Sequence, residues 1–439
     1  MKATASIVCL SLLSVIDARA QQSSPAEFGP QPELPAPQAR MLPMLHIAKA
    51  KGWGPNEGPQ GAPGTVVTAL ARGLQHPRWL YVLPNGDVLV AESDAPARPD
   101  DGKGFAGKVG EFVMKRAGSG TKPSANQITL LRQAPGDAGR IERHVFLQGL
   151  NSPIGMALVG NNLYVADSDA LLRFPYKTGD TEIRAQSMQV TPLPGGTINH
   201  HWTKSLIASA DGRKLFVGVG SNSNAAENGL AAESERAAVW EVNPDTGTHR
   251  IYASGLRNPV GMAWEPQSGV LWVAVNERDE LGDHLPPDYM TGLHEGAFYG
   301  WPFSYYGQHV DTRVKPQDPA LVSKAIAPDY ALGAHTASLG LCWSEGSKLP
   351  QPFRQGMFVG QHGSWNRKDH SGYKVIFIPF ADGKPAGAPL DVLSGFLSAK
   401  DDALGRPVGV AIDKRGALLV ADDVGDAVWR VSAAMPVAQ

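Results

Sequence analysis

A short apolar strand, a turn marked by Gly or Asn, and a second short apolar strand recur along most of this chain. The second strands read VLVA, LYVA, LFVG, LWVA, MFVG and LLVA. They close GLQHPRWLYVLPNGDVLVAESD at 73–94, GLNSPIGMALVGNNLYVADSD at 149–169, HHWTKSLIASADGRKLFVGVGS at 200–221 and GLRNPVGMAWEPQSGVLWVAVNE at 255–277. A weaker copy spans 337–364, and the last, GRPVGVAIDKRGALLVADDVGD, spans 405–426. A third strand often follows, as in AVWEVNPDTG at 238–247 and AVWRVSA at 427–433. A fourth leads into the next copy, as in HVFLQGL, HRIYASGL and LDVLSGF. Short strands with turn chemistry at this spacing predict antiparallel sheets. Four strands repeated six times predict an all-β fold, a six-bladed β-propeller of four-stranded antiparallel blades. Uneven spacing predicts long insertions around 95–145 and 283–335, of the kind that gather on one face and carry function. The chain ends on a third strand, while TVVTALARGL at 65–74 has no blade of its own. That segment is expected to complete the last blade, pairing N-terminal with C-terminal sequence and removing the free sheet edges.

The propeller so defined covers 63–435. Residues 21–62 are rich in Pro, Gln, Gly and Ala, with little periodicity, and read as an arm laid over the body. Residues 1–20 carry Lys2, an apolar stretch from Ala3 to Ile16 and Ala18-Arg19-Ala20, the pattern of a cleaved signal peptide. The stretch is too short to span a bilayer. A periplasmic or secreted protein with no membrane span in its mature form is therefore expected. Cys9 leaves with the signal, so Cys342 stands alone without an intrachain disulfide and reads as a small buried hydrophobe. Charged residues make up 19% of the 439 and the formal net charge is −2. This excludes the basic excess that nucleic acid or an acidic membrane would require.

In a propeller the inner strands line a central channel, and loops from successive blades ring its mouth. The six copies deliver a polar set there. It comprises His76 and Arg78; Asn151, Asp167 and Asp169; His200, His201, Lys204, Ser221 and Asn222; Arg257, Asn258 and the run NERDELGD at 276–283. His335, Gln361, His362, Trp365, Asn366, Arg367 and Lys368 follow, then Arg406, Asp422 and Asp423. Any one of these alone is a loop-capping residue. Together they fit a large anionic ligand beside a hard cation: Arg and Lys for carboxylates, oxygen donors for Ca²⁺, a neutral His as base. Zinc is disfavoured: no CxxC or HExxH occurs, and His200 and His201 are adjacent, which points them to opposite strand faces. Neither a glycine fingerprint between strand and helix nor a GxSxG elbow is present, which removes nicotinamide, flavin and serine-hydrolase sites.

GLRNPVGMAW followed by NERDELGDHLPPDY and GAFYGWP resembles the glucose/sorbosone dehydrogenase family, its sorbosone branch most closely. The resemblance covers roughly residues 65–435. It implies a soluble six-bladed propeller enzyme dependent on pyrroloquinoline quinone (PQQ) and Ca²⁺. A sugar, or a sugar-derived aldehyde as its hydrate, would be oxidised by hydride transfer. By this resemblance His201 is the catalytic base, with His200 a rival by one position. Arg257 and Asn258 contact the quinone, Arg257 also stabilising the oxyanion that develops on it. Arg406 is a late cofactor clamp, and Lys368 or Arg367 supplies the remaining cation. Backbone carbonyls around Glu277, Arg278 and Asp279 help to hold Ca²⁺, although this stretch is charged where glucose-type enzymes carry Gly-Pro. Asp283 and Tyr299 mark a second calcium position in relatives. With no haem-attachment CxxCH, electrons would leave to a separate acceptor, a cytochrome or the quinone pool. Two other classes remain open: a Ca²⁺-dependent lactonase on a similar propeller, and a non-catalytic propeller that binds a glycan or protein. Surplus Arg and Lys at the channel mouth favours the dehydrogenase.

Overall fold

The computed structural model describes residues 25–38, 45–96, 115–118, 123–134, 136 and 139–435. The segment read as a signal peptide and much of the expected insertion after residue 95 lie outside these residues. Six antiparallel blades surround a central axis. The first blade runs Pro77–Val82, Val88–Glu92, Gln127–Gln133 and Ile141–Gln148 from the axis outward. The second runs Gly155–Val159, Asn162–Ala166, Ala170–Pro175 and Met188–Pro192. The third is Lys204–Ala208, Leu215–Val219, Ala238–Val242 and His249–Ser254. The fourth is Pro259–Trp264, Leu271–Val275, Pro287–Gly292 and Tyr330–Ala334. The fifth is Ser338–Trp343, Gly356–Gln361, Lys374–Ala381 and Leu390–Ser394. Pro407–Ile412, Leu418–Asp422 and Ala427–Ala433 make the sixth, and Thr65–Arg72 closes it. This closing strand pairs Thr65 with Ala433 and Arg72 with Ala427, so the expected union of N- and C-terminal sequence is present.

The second strands read as unbroken apolar runs because both faces are buried between blades. Along Asn162–Ala166, Leu163 and Val165 pack with first-blade Leu89 and Ile128, while Tyr164 and Ala166 pack with third-blade Leu206 and Val217. The core is therefore a ring of wedges, one at each blade junction. Near the axis the wedges narrow until backbones touch. A Cβ on Gly155 or Gly261 would collide with the backbone nitrogen of Leu206 or Leu341 on the next inner strand. That crowding explains why PIG and PVG open these inner strands.

The expected insertion at 283–335 needs a correction. Two strands of the fourth blade, Pro287–Gly292 and Tyr330–Ala334, lie inside it, so the true insertion runs from 293 to 329. Residues 25–38 and 45–62 are laid along blade rims. Phe28–Gly29 extends the fourth blade, Gln60–Gly61 extends the fifth, and Lys49–Ala50 pairs in parallel with Asp402–Ala403. Cys342 sits half-buried on the fifth inner strand, and burial pushes its thiol up, as befits a residue used as a small hydrophobe. Among the described residues, no helix is long and apolar enough to cross a membrane.

Candidate active site

The start of every inner strand pairs with the end of the second strand of its blade: Pro77 with Glu92, Gly155 with Ala166, Pro259 with Val275, Pro407 with Asp422. Antiparallel pairing thus brings the loops before the inner strands and those after the second strands to one mouth. Several carboxylates in these loops are latches. Asp167 accepts from Asn151 N (2.9 Å), and Asp422 accepts from Arg406 N (2.7 Å), Gly425 N (2.8 Å) and the indoles of Trp53 (2.7 Å) and Trp429 (2.9 Å). Burial pushes Asp167 up to about 7 and Asp422 up to about 6. Asp288 holds Glu277 N (2.9 Å) and Ser338 N (2.8 Å), joining the fourth and fifth blades.

One wall of the mouth is built by the third and fourth blades. His201 is half-buried. Its Nδ1 faces Ser221 O (2.8 Å) and Ser221 Oγ (2.9 Å), which fixes a proton on Nδ1 and leaves Nε2 as an acceptor. Burial, then the Arg257 charge, hold its pKa well below the usual value. Gly220 lets His201 and Asn258 approach, since a Cβ there would press on both Asn258 Oδ1 and the His201 Cβ. Arg257 spends every nitrogen on the protein: Nε on Asn224 O (3.3 Å), Nη1 on Glu277 O (2.6 Å) and Asn276 O (3.3 Å), Nη2 on Asn224 Oδ1 (2.9 Å) and Asp279 Oδ2 (3.2 Å). Asp279 also accepts from Asn366 Nδ2 (2.6 Å) and faces His335 Nδ1 (3.4 Å). Burial alone would raise this carboxyl, but His335, Arg257 and Asn366 bring it down to about 2.

The opposite wall comes from the sixth, first and fifth blades. Asp423 accepts from Arg78 Nη1 (2.6 Å), faces His362 Nε2 (2.8 Å) and lies 3.9 Å from His76 Nε2. Burial brings His362 down to about 4 despite this carboxylate. Arg406 lies with its guanidinium carbon 4.8 Å from the Tyr373 ring centre and donates from Nη1 only to His362 O (3.5 Å) and Gly363 O (3.4 Å). Arg406 Nε and Nη2, with Arg78 Nε, are buried and find no acceptor among the described residues. The walls meet where Arg78 stands 5.8 Å from the ring centre of Trp202, the neighbour of His201.

His201, Arg257, Asn258, Asp279 and Arg406 are thus gathered at one mouth, with His200 half-buried beside His201. One expected cofactor cation, Arg367, is not, and this is a correction. Arg367 turns to the fourth blade, donating to Ala334 O (2.9 Å) and Glu27 Oε2 (3.4 Å). Lys368 is exposed, and its carbonyl accepts from His46 Nδ1 (2.6 Å). Of the loop expected to hold calcium, Glu277 O is taken by Arg257, and Asp279 O by Arg313 Nη1 (2.9 Å). The Arg278 side chain is fully buried and points into the insertion, to Ser304 O (2.6 Å), Pro302 O (2.8 Å), Glu277 Oε2 (3.0 Å) and Asp311 Oδ2 (3.1 Å). Asp283 lies half-buried beyond Gly282, whose carbonyl faces His335 Nε2 (2.8 Å). Tyr299 Oη donates to Gly292 O (2.8 Å) and accepts from His294 N (3.2 Å). Oxygens of mouth residues still without a partner among the described residues include Asn258 Oδ1, Asn222 Oδ1 and Asn366 Oδ1, hard donors of the type calcium takes; Glu277 Oε1 is also unpartnered, on a carboxylate turned to Arg278 and Tyr289. The role of Asn224 was not foreseen; its signal was the polar run SNSNAAEN after the third copy.

A closed propeller with two charged walls around its channel mouth defines a ligand-binding or catalytic propeller of the cation-rich kind. The TrAA12-like family model matches residues 127–287 and 303–434, and the chain belongs to that family. The PQQ-dependent pyranose dehydrogenase of Coprinopsis cinerea is 23% identical over 275 residues, covering 52% of this chain and 36% of that enzyme. The holo form of the PQQ domain of the Coprinopsis cinerea pyranose dehydrogenase superposes with a TM-score of 0.68 at 18% identity, covering 88% of this chain and 100% of that one. The calcium structure of the Trichoderma reesei family AA12 enzyme superposes at 0.68 with 16% identity, covering 89% and 99%. The expected kinship with PQQ-dependent sugar dehydrogenases on a six-bladed propeller holds at this level; the sorbosone branch is not singled out.

Proposed function

We propose that this chain is a PQQ-dependent oxidoreductase acting on a sugar or a sugar-derived aldehyde of the sorbosone type. The observation that carries the reading is Arg406, a buried guanidinium whose Nε and Nη2 lack acceptors. An unsatisfied buried charge is costly, and a carboxylate-rich ligand offers the bidentate partner it lacks. Arg78 Nε, on the same wall, supports the same ligand chemistry. The similarity to the pyranose dehydrogenase points the same way.

When bound, PQQ supplies the acceptor for the hydride that leaves the substrate carbon. The protein's part is to orient the reactants and move the proton. His201 Nε2 takes the hydroxyl proton, because Nδ1–H is committed to Ser221. The low pKa of His201 keeps that nitrogen free near neutral pH. An aldehyde reacts as its hydrate and leaves as an acid. Arg257 shapes the 276–279 loop and lowers the basicity of His201 through its charge, so it acts here as a positioning residue. His362 is a second candidate base, favoured by the Asp423 carboxylate that His201 lacks. Calcium at this mouth would draw on side-chain oxygens such as Asn258 Oδ1, since the carbonyls of Glu277 and Asp279 already face guanidinium groups. Export to the periplasm and transfer of electrons to a separate cytochrome or quinone complete the reading.

The test mixes apo-protein with PQQ and Ca²⁺ and follows quinone absorbance and dye reduction with sugars and aldehydes. Lactone hydrolysis without quinone would replace the reading with a calcium lactonase. Silence in both assays would replace it with a non-catalytic propeller.

A further inference from the structure

Outside the channel mouth, His46 of the N-terminal arm, His370 of the loop after the second strand of the fifth blade, and Asp401 of the link to the sixth blade come together. Their ligand atoms lie within 4.8 Å of one another. We propose that these residues form a binding site for a zinc-class divalent ion that clips the arm to the loop bordering the active site.

Three features support a metal site. The set is two imidazoles and a carboxylate, which zinc takes readily, leaving a position for water. His46 Nδ1 faces the Lys368 carbonyl at 2.6 Å, so the proton sits on Nδ1 and the lone pair on Nε2 is presented outward. Metal-binding histidines are oriented in this way, by donating the other ring N–H to a carbonyl. That Nε2 stands 4.0 Å from Asp401 Oδ2. The gap is too wide for a hydrogen bond, and two ligands of a tetrahedral zinc ion stand about 3.3 Å apart, so the carboxylate must move inward by somewhat under an ångström to bind. The His46 and His370 rings are stacked with centroids 4.0 Å apart, so to share one ion His370 must turn out of the stack while His46 stays anchored on the Lys368 carbonyl. Asp401 is the exposed member, so rotation of its carboxylate can close the remaining distance.

The site would join three segments. His46 N donates to Trp365 O (2.9 Å), and Lys49–Ala50 pairs with Asp402–Ala403. The loop holding His370 also carries Asn366, which donates to Asp279, and His362, which meets Asp423. An ion here would fasten both strap and loop without touching substrate.

The experiment is equilibrium dialysis of the full chain against Zn²⁺, with Ca²⁺ in excess to keep hard-cation sites filled, and the bound zinc counted. Wild type should hold one equivalent more than His370→Ala and Asp401→Asn, or bind zinc at least about tenfold more tightly. Asn is well tolerated at the positive φ of residue 401, so the Asp401 variant tests the ligand without disturbing the backbone. Zinc should also slow amide exchange at 46–50 and 402–403 in wild type alone. Equal zinc content in wild type and both folded variants, or unchanged exchange, would overturn the proposal.

Discussion

Arg257 and Arg406 face one channel mouth from opposite walls, both almost fully buried, in contrary hydrogen-bonding states. Arg257 donates from all three nitrogens to six oxygens of Asn224, Asn276, Glu277 and Asp279. Arg406 has two long contacts from one nitrogen, an aromatic face beneath it, and two nitrogens without acceptors. A buried guanidinium that is fully satisfied serves the fold; one left short at a channel mouth keeps donors to spare for a ligand. The charge cluster that both belong to is therefore divided in function. In the proposed function the third- and fourth-blade wall is a finished scaffold that presents His201, and the other wall would receive anionic groups.

The largest effect that bears on this division is expected from His201→Ala. Turnover should fall by about 10²–10⁴-fold with PQQ still bound, the usual contribution of a general base. The same loss from His362→Ala, with His201→Ala unaffected, would move the base to the receptor wall. Arg257→Ala should cost about 3–5 kcal/mol of stability, because Asp279 loses a buried cationic partner. Denaturant unfolding would reveal it, and an undiminished midpoint would deny Arg257 its scaffold role. Gly220→Ala should lower turnover by up to about 10²-fold by displacing His201 and Asn258, with a smaller effect on unfolding.

The smallest effect concerns pH. The folded-state pKa of Asp167 is raised to about 7, so in the folded protein it holds a proton that the unfolded chain loses near 4. Its contribution to stability is complete below about 4 and is lost as pH rises through about 7. Asp167→Asn should therefore flatten the fall in stability between about pH 4 and 7, measured by urea unfolding. An unchanged slope would mean that Asp167 is ionised in the fold.

The propeller was legible because the same strand pair recurs and every second strand is apolar on both faces. The fourth blade hid two strands because Pro287, Asp288 and Gly333 break the alternation and an insertion parts them. His201, Arg257, Asn258 and Arg406 were legible as residues of the mouth, since inner-strand starts converge by topology. Their separate roles were not. The state of Arg257 depends on Asn224, in a loop without periodicity, and Arg367 is turned aside by Glu27, which lies 340 residues away in sequence. Nor does a sequence distinguish a carboxylate that latches a backbone N–H, as Asp167 and Asp422 do, from one that meets a ligand.

Titration of PQQ into wild type and Arg406→Gln, in the presence of Ca²⁺, tests the receptor wall most directly. The account predicts that the variant folds at least as stably as wild type and loses about ten- to a hundredfold in PQQ affinity, the worth of one charge-assisted hydrogen-bonded contact. Equal affinity in the two proteins, or a loss of fold stability in place of a loss of binding, would contradict it.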